Sequence, residues 1–356
     1  MAQDTLRVGI VGAAGYTGAE LLRLVHRHPR LELVWVAGNS NAGRKLSEVL
    51  PGALGVPGVG DLTIERFEPT DAPHLAKQLD VAFCCLPHAK SAEVVASLYA
   101  EGLRVVDLSA DFRLRNLEDY RTWYGEHPAA HLLAEAVYGL PELHRDALRG
   151  KRLIAAPGCY PTSAILPIAP LLSAGLLDVS SPVIIDSKSG VSGAGRTPAP
   201  GTHFSETSEG IRAYKVAGTH RHTGEIEQEL SIAAGQDVRV VFTPHLVPMT
   251  RGILSVAYLR PKPGVDAERC REAAKALYPS TGLVSVMQDE LPDTLWVRGS
   301  ARAHVAYRLD ARTGTLLAFG AIDNLTRGAS GQALHALNVA LGWDEDLGLP
   351  QLGQFP

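Results

Sequence analysis

One cysteine of this chain stands in a setting that suits a nucleophile. In "IAAPGCYPTSAIL" Cys159 follows Pro157 and Gly158, and Pro161 comes just before an apolar run. Proline is favoured in the first turn of a helix, so this pattern predicts a helix that starts near Cys159. At a helix N-terminus the positive end of the dipole stabilises a thiolate, and the N–H groups can stabilise an oxyanion. The pattern therefore predicts a catalytic thiol.

A pair of histidines could exchange protons with that thiol chemistry. "AGTHRHTGEIEQEL" (217–230) places His220 and His222 in a segment predicted to be extended, just before a helix. Alternate residues of an extended chain point the same way, so both rings would face one cleft. The sequence leaves open which one is the acid or base and slightly favours His220. His-x-His also suits a metal, but no third ligand is evident, so no metal is predicted.

Several arginines and serines could hold an anionic substrate. "SGVSGAGRTP" carries Ser189 and Arg196 in a flexible loop, "DLSADFRL" carries Arg113, and "PMTRGIL" carries Arg251. A guanidinium binds a phosphate or carboxylate through two parallel hydrogen bonds. These four residues are the predicted substrate-binding set.

A glycine turn predicts a dinucleotide site near the N-terminus. "GIVGAAGYTGAELL" places Gly12, Gly15 and Gly18 between a strand and a helix, where the backbone can approach a pyrophosphate. The second strand lacks the acidic residue typical of NAD sites; it is followed by Ser40 and Arg44, which favour NADP.

The elements that must position these residues form two sets. In the first third of the chain, strands at 6–11, 31–38, 80–87 and 103–109 alternate with helices at 18–28 and 91–101. This alternation predicts a doubly wound parallel sheet. Later segments predict a mostly antiparallel or mixed sheet. Residues 182–204 are predicted to form a strand followed by a long Gly/Ser/Pro loop, and strands at 239–249, 252–260, 303–310 and 315–323 come after it, followed by a helix at 328–343.

Length and composition restrict the class of protein. A chain of 356 residues favours two domains, with a boundary near residue 157. The net charge of −4, without a long block of one sign, argues against nucleic acid as a partner. No secretory signal is evident, and the apolar stretch 163–177 is too short and too interrupted by proline to span a bilayer. Four cysteines without a disulfide framework predict a cytoplasmic protein.

Eight motifs together resemble one enzyme family, N-acetyl-gamma-glutamyl-phosphate reductase of arginine biosynthesis. They run in order from about residue 7 to 343: "GAAGYTGAELLRL", "LPH", "DLSADFRL", "PGCYPT", "SGVSGAGR", "HRHTGEIEQ", "FTPHLVPMTRGI" and "AIDNLTRGASGQALHALNV". That family is similar in plan to aspartate-semialdehyde and glyceraldehyde-phosphate dehydrogenases. The resemblance implies a Rossmann-type NADP-binding domain at 1–157, completed by a C-terminal helix at 326–356. It also implies an α+β catalytic and oligomerisation domain at 158–325, in a homodimer or homotetramer.

The resemblance also implies roles for individual residues. Cys159 matches the family's nucleophile, with His220 and His222 beside it. The cofactor-binding residues that we predict are Gly12, Ala14, Gly15, Tyr16, Thr17, Gly18, Ser40, Arg44, Pro87, Ser192, Gly193 and Asn324.

The activity that the resemblance implies is NADPH-dependent reductive dephosphorylation of N-acetyl-gamma-glutamyl phosphate through a cysteine thioester. Alternatives are reduction of carrier-bound aminoadipate phosphate in lysine biosynthesis and an aspartate-semialdehyde dehydrogenase activity. "GCYPT" favours the arginine branch. A non-catalytic NADP sensor is disfavoured by the Cys–His–Arg set, and a cysteine hydrolase by the glycine turn.

Overall fold

The structure is a computed structural model that describes residues 5–279 and 282–355. Residues 1–4, 280–281 and 356 lie outside the described residues. They include residues 1 and 356, which are the outer bounds of the predicted NADP-binding domain. The described chain divides into two compact units. The first unit extends to Pro157 and includes Ala329–Leu349; the second comprises Gly158–Gly328 and the residues from Pro350 onwards.

The described residues form strands and α-helices in both units. The strands are β1 (Leu6–Val11), β2 (Leu31–Ala37), β3 (Val81–Cys84), β4 (Arg104–Asp107), β5 (Val137–Tyr138), β6 (Leu153–Ala155), β7 (Val183–Gly190), β8 (Arg212–Ala213), β9 (Val240–Val247), β10 (Ile253–Leu259), β11 (Val284–Val286), β12 (Ala303–Asp310) and β13 (Thr315–Ile322). The α-helices are α1 (Tyr16–Arg27), α2 (Leu46–Val49), α3 (Ala72–Leu75), α4 (Ala92–Ala100), α5 (Leu117–Tyr124), α6 (Pro141–Leu148), α7 (Cys159–Ser173), α8 (Phe204–Thr207), α9 (His222–Ala234), α10 (Ala267–Leu277), α11 (Thr294–Val297) and α12 (Gly331–Ala340).

The first unit contains the predicted parallel sheet. Its six strands lie in the order β2-β1-β3-β4-β6-β5, and every adjacent pair is parallel. The chain leaves β1 for β2 on one side and then returns to β3 on the other side. The topological switch point therefore lies between the carboxyl ends of β1 and β3, which is where open α/β sheets bind ligands.

The second unit contains a mixed sheet, as the sequence predicts. Its seven strands lie in the order β11-β12-β13-β10-β7-β9-β8. The central strand β10 is antiparallel to both neighbours, whereas β7 and β9 are parallel. Helices α7, α9 and α10 pack against this sheet. The sheet and these helices position the residue with which α7 begins.

Helix α7 is buried and apolar although it contains Pro167 and Pro170. Pro170 has no N–H, so the carbonyl of Leu166 lacks the donor that a helix normally supplies four residues later. The hydroxyl of Tyr278 donates to that carbonyl at 2.7 Å. A side chain outside the helix thus replaces the missing backbone donor.

Removing this hydroxyl is expected to destabilise the protein. Tyr278→Phe leaves the buried Leu166 carbonyl without that donor, which costs about 1–3 kcal/mol. Urea unfolding should show a lower midpoint. Tyr99→Phe is the matched control, because the Tyr99 hydroxyl makes only an exposed contact with Glu135 at 3.4 Å. Equal midpoints for the two variants would contradict the role given to Tyr278.

The C-terminal helix is shorter than the predicted span of 328–343. A π-helical turn at Thr326–Ser330 precedes α12, and a Schellman motif ends it. Gly342 has a φ of +69°, and the N–H of Trp343 donates to the carbonyl of Asn338 at 2.9 Å. Among the residues that the structure describes, no helix is long and apolar enough to cross a bilayer.

Candidate active site

The glycine turn between β1 and α1 is built for close backbone approach. Gly12 has a φ of +83°, and a Cβ atom there would lie 2.4 Å from the carbonyl oxygen of Cys85. A Cβ atom on Gly18 would lie 2.5 Å from the carbonyl oxygen of Gly12. Gly15 is the N-cap of α1 and has no side chain, so no N-cap side chain accepts a hydrogen bond from the first-turn N–H groups. These features fit a pyrophosphate at the helix N-terminus.

Three further residues predicted to bind the cofactor, Ser40, Arg44 and Pro87, lie in exposed turns or loops. Ser40 lies in the exposed 3₁₀ turn that follows β2. Arg44 contacts the carboxylate of Glu48 at 3.6 Å, and the guanidinium is half exposed. Pro87 is exposed in the loop after β3, at the switch point. Their roles in cofactor binding stay predictions.

Cys159 is the first residue of α7. Gly158 is the N-cap, with extended φ and ψ of −72° and 155°, and it offers no side-chain cap. Cys159 is partly exposed and is not in a disulfide. The positive end of the helix dipole therefore acts on its sulfur, and this favours the thiolate.

The other three cysteines lie in different environments. Burial raises the pKa of Cys270 to about 12, and it also raises the pKa values of Cys84 and Cys85. Thiols in such surroundings stay protonated at neutral pH. Cys159 is the one cysteine among the described residues that begins a helix.

The N-terminal end of α9 lies against the start of α7. The N–H of Gly158 donates to Oε1 of Glu225 at 2.8 Å, and Glu225 is only 1% exposed. This bond holds the residue before Cys159. On another side, a Cβ atom added to Gly328 would lie 2.7 Å from Cβ of Cys159.

The two predicted histidines come together, but not as the sequence predicted. The extended conformation is wrong: residues 216–221 form turns, and His222 is the first residue of α9. The N–H of His222 donates to Nδ1 of His220 at 3.2 Å, and this turn brings the ring centroids to 4.9 Å. Tyr160, the residue after Cys159, packs edge-on against both rings.

His220 is buried and neutral at pH 7. Burial lowers its pKa to about 4, and the cations Lys215 and Arg221 act in the same direction. Because its Nδ1 accepts the His222 N–H, we assign the ring proton to Nε2. The buried ring is therefore a hydrogen-bond donor at Nε2.

Four predicted cofactor- and substrate-binding residues, Ser189, Ser192, Gly193 and Asn324, cluster at the end of β7. Asn324 donates to Oγ of Ser192 at 2.9 Å and accepts the N–H of Gly252 at 2.8 Å. Gly193 lies beside Ser189: a Cβ atom on Gly193 would be 3.1 Å from the Ser189 hydroxyl. The structure thus groups these residues within the second unit.

The three arginines that were predicted to bind the substrate lie in different settings. Arg251 contacts the buried carboxylate of Asp323 at 3.2 Å in the second unit. Arg196 is exposed in the loop that follows β7. Arg113 belongs to the first unit and is nearly buried, where it donates to the carbonyls of Ala156 and Leu108 at 2.7 and 2.8 Å. Their substrate contacts stay predictions.

Sequence reasoning did not single out Glu225, Tyr214 or Gly328. Glu225 could have been found, because it follows His222 at the i+3 spacing that places two helical residues on one face. The hydroxyl of Tyr214 donates a hydrogen bond to the hydroxyl of Tyr160 at 3.0 Å, and no local sequence pattern predicts this contact. Gly328 meets Cys159 only in the folded chain. Within the described residues, no group of three or more His, Cys, Asp or Glu could hold a metal ion.

The fold and the site define an oxidoreductase of the semialdehyde dehydrogenase class. Residues 7–151 match the family described as "Semialdehyde dehydrogenase, NAD binding domain", and residues 159–324 match "Semialdehyde dehydrogenase, dimerisation domain". Aspartate semialdehyde dehydrogenase II of Vibrio cholerae has a TM-score of 0.70 at 16% identity over 94% of this chain and 98% of its own. The Candida albicans aspartate semialdehyde dehydrogenase, solved with NADP, has the same values. At this identity the likeness shows the fold alone.

Curated relatives narrow the class to one family. The N-acetyl-gamma-glutamyl-phosphate reductase of Magnetococcus marinus is 49% identical over 99% of both chains. That of Syntrophobacter fumaroxidans is 48% identical over 97% of this chain and 98% of its own. The chain belongs to the N-acetyl-gamma-glutamyl-phosphate reductase family.

Proposed function

We propose that the chain reduces N-acetyl-gamma-glutamyl phosphate to N-acetylglutamate 5-semialdehyde with NADPH, the third step of arginine biosynthesis. The observation that carries this proposal is Cys159 at the start of α7, where the next residue, Tyr160, packs against both rings of the His220–His222 turn. A thiolate at that place can attack an acyl phosphate, in which phosphate is already a good leaving group. The relatives' shared name supports this substrate.

The first unit fits a dinucleotide. The glycine turn leaves no room for side chains on Gly12 and Gly18, and Gly15 leaves α1 without a side-chain cap. Gly12, Ala14, Gly15, Tyr16, Thr17 and Gly18 would hold the pyrophosphate, with Ser40 and Arg44 near the 2′-phosphate. When bound, NADPH supplies the hydride that reduces the thioester.

The chain's own residues then stabilise the negative charge that develops and transfer the proton. The Cys159 sulfur attacks the acyl carbon, a C–S bond forms, and the C–O bond to phosphate breaks. We assign the N–H of Tyr160 and Nε2–H of His220 as donors to the oxyanion, because a neutral donor stabilises negative charge without losing its proton. His222 supplies the proton that the leaving phosphate takes up. After reduction, the thiohemiacetal oxygen reforms a C=O bond and expels the thiolate.

The reverse reaction tests this proposal. Purified protein is given N-acetylglutamate 5-semialdehyde, NADP and inorganic phosphate, and NADPH absorbance is followed. We expect NADPH to form only when phosphate is present, and kcat/KM for aspartate 4-semialdehyde to be lower by at least about 10²-fold. Comparable rates with both aldehydes would favour an aspartate-semialdehyde dehydrogenase. Oxidation without phosphate would exclude acyl phosphate chemistry.

We propose that the chain forms a homodimer or homotetramer in the cytoplasm through the open face of the second unit's sheet. Val241, Ile184, Tyr258 and Leu317 lie opposite one another on adjacent strands. The first three are 48%, 48% and 43% exposed. A contiguous apolar row of this kind marks an interface, and a second copy offers the matching row. The four free cysteines fit a reducing compartment.

A charge in the middle of this row is expected to separate the copies. Ile184→Lys places an ammonium between Val241 and Tyr258, where burial against a partner would be costly. Light scattering after size exclusion should show the mass of one chain, whereas the unaltered protein shows two or four. Leu54→Lys is the control, because Leu54 is exposed in the first unit. An unchanged mass for Ile184→Lys would place the interface elsewhere.

A further inference from the structure

Two loops of the first unit meet at the carboxyl edge of its sheet. One loop, residues 85–91, follows β3 and begins at Cys85, whose carbonyl lies against Gly12. The other, residues 108–113, follows β4 and carries most of the "DLSADFRL" motif. The proposed mechanism uses neither carboxylate of this motif, yet both are fully buried. Burying a carboxylate is costly unless it is hydrogen-bonded, so the partners of these two carboxylates indicate their role.

The Asp111 carboxylate accepts four hydrogen bonds. Oδ1 accepts from the N–H of Ala89 at 2.7 Å and from the Tyr120 hydroxyl at 3.2 Å. Oδ2 accepts from the N–H groups of Ser91 and Ala92 at 3.1 and 3.0 Å. Ser91 is the N-cap of α4 and makes no side-chain cap bond itself. Asp111 therefore caps α4 from another loop and fixes the end of loop 85–91.

Further bonds join the same two loops. The Asp107 carboxylate accepts the hydroxyls of Ser91 and Ser109, each at 2.6 Å. Burial raises the pKa of Asp107 to about 6 against the effect of these hydrogen bonds. The carboxylate is thus ionised at neutral pH and can accept from both hydroxyls. On the other side, Nδ1 of His88 accepts the N–H of Ala110 at 2.9 Å.

Loop 85–91 is held in a strained conformation. Ala89 has a φ of +62° although it carries a Cβ atom. This region costs a residue other than glycine about 1–2 kcal/mol, and it persists only where the surroundings enforce it. Ala89 is exposed, so no packing enforces it, whereas its N–H is bound by Asp111. The hydrogen bond to Asp111 is the side-chain contact that holds Ala89 in this conformation.

We propose that Asp111 is a positioning residue for the dinucleotide, since it fixes loop 85–91 at the switch point beside the glycine turn. The inference rests on the proposed NADPH-binding function. Pro87, a predicted cofactor-binding residue, lies in this loop, two residues before Ala89. A loop that is free to relax Ala89 to negative φ would move Pro87 away from the cofactor. Asp111 would act through the loop and would not itself touch NADPH.

Fluorescence titration with NADPH tests this inference. Asp111→Asn, which replaces an acceptor oxygen by a donor NH₂, is expected to raise the Kd by about tenfold or more. Ala89→Val leaves the core untouched but disfavours positive φ, so it should raise the Kd as well. In the double variant Asp111→Asn/Ala89→Gly, glycine accepts positive φ without strain and should recover part of the lost affinity. Asp146→Asn, on an exposed residue of the same unit, is the control.

The outcomes separate the two proposals. If the unaltered protein does not bind NADPH, the proposed function fails. If it does bind, and both Asp111→Asn and Ala89→Val bind within about twofold of it, the positioning role is overturned. No recovery in the double variant would also overturn it, because a general loss of folding is not repaired by glycine in one loop. At saturating NADPH, kcat of Asp111→Asn should approach that of the unaltered protein, so that the change lies in KM.

Discussion

Replacing Cys159 with serine is expected to lower kcat by at least about 10³-fold, as is typical when a covalent nucleophile is removed. The hydroxyl would occupy the same helix start, but it is not ionised at neutral pH, and the thioester could not form. The glycine turn is unchanged, so the Kd for NADPH should stay within about twofold. Phosphate release in a single turnover, measured beside NADPH binding, checks both statements.

The control for this variant is another cysteine. Cys270 is buried in α10, and burial raises its pKa to about 12, so Cys270→Ala should keep its activity. Iodoacetamide should inactivate the unaltered protein and Cys270→Ala at similar rates, and the acyl phosphate substrate should slow this inactivation. A Cys159→Ser variant that retained a tenth of the turnover would rule out the thioester route.

The fold could be predicted from the sequence because its main signals are local. Apolar runs such as "LRVGIV" and "DVAFCCLP" alternate with amphipathic helices, and this alternation fixes parallel pairing. Helix ends were less accurate: the predicted C-terminal helix at 328–343 is α12, Gly331–Ala340, after a π-helical turn. Periodicity does not distinguish a π-helical turn from an α-helix, so this boundary needed the structure.

The candidate site could be predicted only where one residue and its neighbours carry the signal. The helix start at Cys159 was predictable, because Gly158 and Pro161 mark it. The His220–His222 turn was misjudged as extended, because alternating polar residues can equally fill a turn before a helix. The helical spacing relates Glu225 to His222, but no local pattern predicts that Glu225 binds the N–H of Gly158 or that Gly328 lies against Cys159. Such contacts depend on the tertiary packing of α7, α9 and the π-helical turn.

Replacing Gly328 with alanine is expected to lower kcat by about 10²-fold, the effect of displacing a catalytic group by about 1 Å. A Cβ atom at this position would lie 2.7 Å from Cβ and 3.1 Å from Cα of Cys159, and 3.2 Å from Cδ1 of Ile322. The two shortest contacts are to Cα and Cβ of Cys159, at the start of a helix, and these atoms cannot move aside as the end of a flexible side chain can. Cys159 must shift, at a cost of about 1–3 kcal/mol in stability.

Three measurements distinguish this displacement from a general loss of folding. The alkylation rate of Cys159 should fall together with kcat, whereas the Kd for NADPH should stay within about twofold. Gly210→Ala is the matched control in the same unit, because nothing lies within 4 Å of a Cβ atom there. If Gly328→Ala turned over as fast as Gly210→Ala, the start of α7 could move without consequence. The geometry around Cys159 would then not determine the rate.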